Sequence, residues 1–174
     1  MAFPRDMMLG EGVFSYAAAA STSAMTEIGA VRGGGVFNVN RTFRRQVADG
    51  DFGPVKGRIA IDEEIATLTI RALEMLPAAI DDFYPALMSS AGANLTTLRS
   101  TLQVVDGDYK KVRFTGRTQG GNAVQITLDQ AINMTPINWE LLDKNEVVPE
   151  LVFTACSLEA STTYPQWDVT FATT

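Results

Sequence analysis

Paired carboxylates are the only constellation in this chain from which catalysis could be assembled. Asp62-Glu63-Glu64 and Asp81-Asp82 are sequence neighbours, whereas general acid–base work needs two groups converging on one pocket. On a strand, Asp62 and Glu64 share a face, which would suit a weak divalent-ion site or, more simply, a solvated strand end. Asp49-Gly50-Asp51 has the opening of a calcium loop, but Ala60 stands where the closing glutamate belongs. Gly33-Gly34-Gly35 runs into Val36-Phe37-Asn38-Val39, a strand pattern. A phosphate cradle needs glycines opening onto a helix N-terminus instead, so the run marks a turn or a close backbone approach. Arg41, Arg44 and Arg45 flank Phe43, a combination capable of nucleic-acid contact. Asp49 and Asp51 follow, and pairing with an acidic surface of another subunit is the better account. Neither a nucleophile elbow nor a Walker pattern occurs. The residues point to no enzyme and to no cofactor or metal.

The elements that position these groups belong to a chain of 174 residues, the length of one ordinary domain. It is 46% hydrophobic and 20% charged, a globular composition long enough to bury a core without a metal or disulfide. Twenty acids against 14 bases give a net charge of -6, which disfavours a protein that coats DNA or RNA. The absence of histidine removes Ser-His-Asp and Cys-His chemistry and histidine metal sites. Cys156 stands alone, so no internal disulfide framework exists. No apolar run approaches the length of a membrane-spanning helix, and no membrane insertion is expected. Gly12 to Met25 is uncharged, but Asp6 and Glu11 interrupt its front and its centre is alanine-rich, unlike a secretion signal. Glycosylation patterns at Asn40, Asn94 and Asn133 then read as chance matches.

Residues 1–27 show no period, and an arm is expected there, flexible or ordered on a neighbouring subunit. From residue 28 to 174 a single β-rich domain is expected. Its clearest element is a hairpin. Val112 and Phe114 alternate with Lys111, Arg113, Thr115 and Arg117; beyond Gly120-Gly121-Asn122, Val124, Ile126 and Leu128 alternate with Gln125, Thr127 and Asp129. Trp167, Val169 and Phe171 predict a last half-buried strand, and Leu151–Leu158 a strand covered on both faces. Gly57 to Leu76 fits a helical stripe or a strand. Its β-branched residues favour a long strand, which needs a bulge near Asp62-Glu63-Glu64 because the apolar parity switches there. Pro77 would stop it and open a helix over Ala78–Ser90, with Ile80, Phe83, Leu87 and Met88 on its apolar side and Gly92 as terminator.

Charge falls in blocks. Residues 28–58 carry six bases and two acids, 59–108 two bases and eight acids, 109–128 four bases and no acid. Such blocks are ordinary solvated patterning, or they let one edge of a subunit attract a different edge of its neighbour.

One stretch carries a family resemblance. Ile28-Gly29-Ala30-Val31-Arg32-Gly33-Gly34-Gly35-Val36, followed by Asp49-Gly50-Asp51-Phe52-Gly53-Pro54-Val55-Lys56-Gly57, resembles the N-terminal half of bacteriophage tail tube proteins, the major tail proteins of long-tailed phages. The likeness continues through Leu68–Leu76 and reappears at Val152-Phe153-Thr154-Ala155 and Trp167-Asp168-Val169. The Pro77–Gly92 segment and the long N-terminal arm depart from the pattern. The resemblance implies a mainly β fold, a tail-tube-type β-sandwich or partial barrel with one flanking α-helix. Hexameric rings would share a continuous barrel and stack into the tube that conducts DNA out of the virion. It also implies partners: other copies of the chain, and tape measure, terminator and baseplate proteins, with DNA passing unbound through the lumen. On this picture Arg44, Arg45, Asp49, Asp51 and Lys56 are expected at inter-ring contacts. Lys111, Arg113, Arg117, Gln125, Thr127 and Asp129 belong to a barrel-wall hairpin whose cations would suit a lumen only if paired with acids. A tail terminator, connector or injection-system tube, and a monomeric β-sandwich binding module, are the alternatives.

Overall fold

The computed structural model describes residues 8–19, 25–28, 31–73, 80–91, 95–118, 120–139, 143, 146–157 and 166–172. The protein is mainly β. Its strands are β1 (Met8–Ala18), β2 (Thr26–Glu27), β3 (Val31–Arg45), β4 (Ile59–Ala72), β5 (Leu87–Ala91), β6 (Thr96–Ser100), β7 (Lys110–Thr118), β8 (Ala123–Asn133), β9 (Glu150–Ala155) and β10 (Trp167–Phe171). One short helix, α1 (Ile80–Phe83), precedes β5.

Eight strands form one antiparallel sheet in the order β2-β1-β7-β8-β9-β4-β3, with β10 also on β8; β5 and β6 pair separately. β8 is the strand where the sheet folds over. Its first half carries β10 from Val124 to Leu128, and its second half carries β9 from Ala131 to Asn133. Between these halves the register with β7 slips, as Lys110 pairs with Ala131 and Val112 with Leu128. A bulge bends a strand and increases its twist, and here it lets one strand serve both layers. The layers close on a core of Phe14, Val112, Phe114 and Leu128 against Leu68, Ile70, Leu151 and Phe153. Phe14 and Phe153 stack across it at 5.4 Å between ring centres. β1, next to the short end strand β2, touches the other end strand β3 without pairing to it, so the sheet is a folded sandwich and not a closed barrel.

The expected hairpin stands as β7 and β8, with Val112, Phe114, Val124, Ile126 and Leu128 buried. The long strand is β4, and its bulge is where the parity switch requires it. Thr42 pairs with Glu63 and Phe43 with Ile61, leaving Asp62 as the extra residue. Glu74, Met75 and Leu76 lie outside the described residues, as do Pro77, Gly92 and Leu158.

Three expectations are corrected. The helix expected over Ala78–Ser90 is a single turn within the described residues, because Pro85 follows Tyr84 and a proline ends the helix before it. Leu87 to Ala91 then becomes a strand paired with Thr96–Ser100. Leu151–Leu158 is not covered evenly on both faces: Leu151, Phe153 and Ala155 are buried, Val152 and Thr154 only partly. Finally, Met8–Ala18 is no arm. It pairs with β7 from Met8 to Ala18, and Phe14 is fully buried. Its alanines and glycines concealed a strand, since Gly12 has to be small: a Cβ there would come within 2.5 Å of the Thr115 carbonyl and 2.6 Å of the Phe114 ring. Gly35 lies under the same ring, 3.4 Å away for a Cβ, while Gly33 and Gly34 take φ of 78° and 74° in a register shift of β3.

Candidate assembly surfaces

Two surfaces carry the residues singled out above. The first is a long arm formed by β3, β4 and the connection 46–58. Cross-strand partners share a face, so Phe37/Leu68, Val39/Ala66, Arg41/Glu64, Phe43/Ile61 and Arg45/Ile59 form one continuous row. The row begins in the core and leaves it. Leu68 and Ala66 are fully buried, whereas Phe43, Ile61 and Ile59 are 59%, 53% and 49% exposed. Val47 and Phe52 add exposed apolar surface at the tip. A core-type face that runs out into solvent is the kind of patch that marks an interaction surface.

The charged residues expected at this arm divide into two groups. Asp51 is engaged within the arm: its Oδ2 accepts from Arg58 at 2.8 Å and from the Ala48 backbone N–H at 2.9 Å. Arg44 lies 3.6 Å from Asp62 across the hairpin. Arg45, Asp49 and Lys56 are exposed and make no ion pair among the described residues. Tight turns at Ala48–Asp51 and Val55–Arg58 shape the tip through backbone hydrogen bonds of 3.1 Å each. Gly50 and Gly57, with φ of 92° and 87°, supply the left-handed conformations these turns need.

A cluster missed by sequence reasoning fastens the root of the arm. The Glu64 carboxylate accepts from Arg41 Nε and, at 2.7 Å, from the indole N–H of Trp167 on β10. Arg41 also lies over the Trp167 ring at 5.9 Å, and Phe37 meets that ring edge-on. The hydrogen bond from Arg41, then that from Trp167, hold the Glu64 carboxyl below its ordinary range. The two partners lie 23 and 103 residues from Glu64, and no local pattern announces them.

The second surface is the outer face of β1, β7, β8 and β10. Ser15, Arg113, Thr127 and Asp168 stand in one cross-strand row, with Glu27 beyond Ser15; Val13, Thr115, Gln125 and Thr170 form the next. All six residues of the predicted hairpin wall, Lys111, Arg113, Arg117, Gln125, Thr127 and Asp129, lie on this face, opposite the apolar core face, and Thr127 is itself buried there at 2% exposure. Lys111 pairs with Asp129 at 2.6 Å, and Arg113 Nε donates to Thr127 Oγ1 at 3.2 Å. The acid that neutralises Lys111 therefore comes from its own hairpin. Among the described residues the four strands of this face carry Lys111, Arg113 and Arg117 with Asp129 and Asp168, and Glu27 of the flanking β2 brings acids level with bases.

Both outer strands of this layer have free backbone among the described residues. There β10 pairs with β8 alone, and β1 is unpaired along this edge outside Phe14–Tyr16, where β2 and the Ile28 N–H bond to it. The direction of the β10 backbone groups follows from two bonds: Ala172 N–H donates to Ala123 O, and Gln166 O accepts from Asp129 N–H. Even-numbered residues thus face β8, and the N–H and C=O of Trp167, Val169 and Phe171 point outward.

The remaining carboxylates hold elements together. Asp82 receives Lys110 Nζ at 2.6 Å and the Tyr16 hydroxyl at 3.3 Å; Asp81 receives Ser89 Oγ at 2.5 Å. These bonds tie α1 and β5 to β1 and β7, and burial, reinforced by Asp82, raises the Tyr16 pKa. Comparison with known proteins returns no family model that matches the chain and no matching curated protein.

Proposed function

We propose that the chain is a structural virion protein of a phage tail: it assembles into stacked, sixfold rings whose joined inner layers form the tube that conducts DNA. The observation that carries this reading is the four-stranded layer β1-β7-β8-β10, which among the described residues is open along β10 and along the part of β1 that β2 leaves free, and is polar on its outer face. Unpaired edges invite another strand, and a monomer that leaves two of them exposed is exposed to uncontrolled pairing. Joining β10 of one copy to β1 of the next satisfies both. The pairing is consistent in direction, because β1 and β10 run antiparallel within the layer, so antiparallel alternation continues around a closed ring. Closure abolishes the edges and lines the ring with the outer face.

That face suits a passage for DNA. With Glu27 of β2 included, its described cations are matched in number by anions, so phosphates meet no net positive wall that would retain a moving polymer. Sixfold symmetry, the virion location and the tape measure, terminator and baseplate partners rest on the family resemblance of residues 28–57 and the C-terminal segments. The arm, projecting from the sandwich, reaches the next ring.

Negative-stain microscopy of concentrated protein tests the reading. Hollow rods with a regular axial repeat are expected. Single rings that never lengthen would favour a terminator or connector, and compact monomers across salt and concentration would overturn the tube.

A further inference from the structure

The exposed apolar side chains gather at opposite ends of the strands. β4 runs away from the arm tip, β9 runs back toward it, and β8 runs away again, since each pair is antiparallel. β7 accordingly starts at the far end, where Lys110 meets Ala131. The segment leading into Lys110 and the segment leaving Asn133 therefore lie at the pole opposite the arm. Together they expose Leu102, Val104, Val105, Met134 and Ile137, with Leu102 at 93%.

This pole is braced. Asp108 Oδ2 accepts from the backbone N–H of Val105 at 2.9 Å and of Ala86 at 3.2 Å, and Thr101 N–H donates to Ala86 O at 2.8 Å. Leu102 is held at φ 59°, a conformation leucine seldom adopts. An exposed leucine fixed in a disfavoured backbone is presented outward by the loop, not left there by a floppy segment.

The two poles also carry opposite charge. Residues 41–58 hold five bases and two acids, whereas residues 80–111 hold three bases and four acids, so the arm is basic and the pole slightly acidic. Arg45 and Lys56 on the arm, and Asp106 at the pole, make no ion pair among the described residues.

We infer that the arm of one copy seats on this opposite pole of a second copy. Phe43 and Phe52 cover Leu102, Val104 and Met134, and Arg45 and Lys56 face Asp106. The inference rests on the stacked-ring reading and names the surface that receives the arm. Because the two halves of the contact are different surfaces, each docked copy still offers a free arm at one end and a free pole at the other, and growth continues along an axis.

Two substitutions at fully or almost fully exposed positions test it, Phe52→Asp on the arm and Leu102→Asp at the pole. Each should leave thermal unfolding unchanged and raise the critical concentration for rods by about tenfold or more. Mixing the two preassembled variants is the decisive arm. Leu102→Asp rings keep a good arm and Phe52→Asp rings keep a good pole, so the mixture should yield pairs of rings by sedimentation and microscopy, and no rods. Rods from Leu102→Asp at the wild-type concentration, or a mixture without pairs, would overturn the docking while leaving the tube reading intact. Wild-type rings that never stack overturn the docking and the tube together and leave a terminator or connector; copies that remain monomeric overturn ring formation as well.

Discussion

Glu64 joins three elements through one carboxylate, binding Arg41 on β3 and Trp167 on β10 from its place on β4. Its ionised form is the bonded form, so its pKa is lowered on folding. The stability it contributes is fully present above the ordinary carboxylate value of about 4.3 and is lost as pH falls through the lowered folded value. In a Trp139→Phe background, Trp167 emission should therefore shift below about pH 4, and Glu64→Gln should abolish that pH dependence. Tyr84 makes the opposite case. It is 2% exposed, its hydroxyl has no partner at full hydrogen-bond geometry among the described residues, and burial, partly offset by the nearby Trp139 side chain, raises its pKa. An unmet buried hydroxyl costs free energy, so Tyr84→Phe should be neutral or stabilising by up to about 1 kcal/mol in denaturant unfolding. A loss greater than that would show that the hydroxyl is bonded. Asp62, Glu64, Asp81 and Asp82 each hold a neighbouring element.

At the scale of elements, the open edge of β10 gives the sharpest test of ring closure. The Val169 N–H points away from β8, so Val169→Pro removes a donor from the free edge without removing a bond to β8. Folded protein that no longer forms rings is expected, checked by circular dichroism and size-exclusion chromatography; rings of normal size would exclude β10 as the joining edge. The arm offers a paired comparison. Lys56 has no ion-pair partner among the described residues, whereas Arg44 faces Asp62. Lys56→Glu should impair stacking with unchanged unfolding temperature. Arg44→Glu should impair stacking and also lose a little stability, under about 1 kcal/mol, by placing like charges across the hairpin. Equal assembly of both variants and wild type would remove the arm from the contact.

At the scale of the molecule, the balance of charge on the proposed lumen face is itself testable. Rods should not retain duplex DNA at physiological salt. Asp129→Lys leaves Lys111 without its partner and adds a cation to every subunit, so retention in a filter assay should rise several-fold and fall steeply with added salt. The strand content, the β7–β8 hairpin and the Asp62 bulge were legible in the sequence because alternation of apolar and polar residues is local, and a switch in its parity reports a bulge directly. β1 was not legible, since Gly12 and the alanines that let Phe114 and its neighbours approach also erase the alternation. The helix over Ala78–Ser90 failed on a single residue, Pro85. What only the tertiary structure decided is where each face goes. The row from Leu68 through Phe43 to Ile59 is apolar on both sides of the Arg41/Glu64 pair, yet its first part is core and its last part is surface. The difference depends on how far the opposing layer extends, and on Trp167 and Glu64 meeting across 103 residues. Which strands end as open edges is likewise a property of the whole sheet order, because a strand's own residues specify a pleat and a register but not the presence of a neighbour.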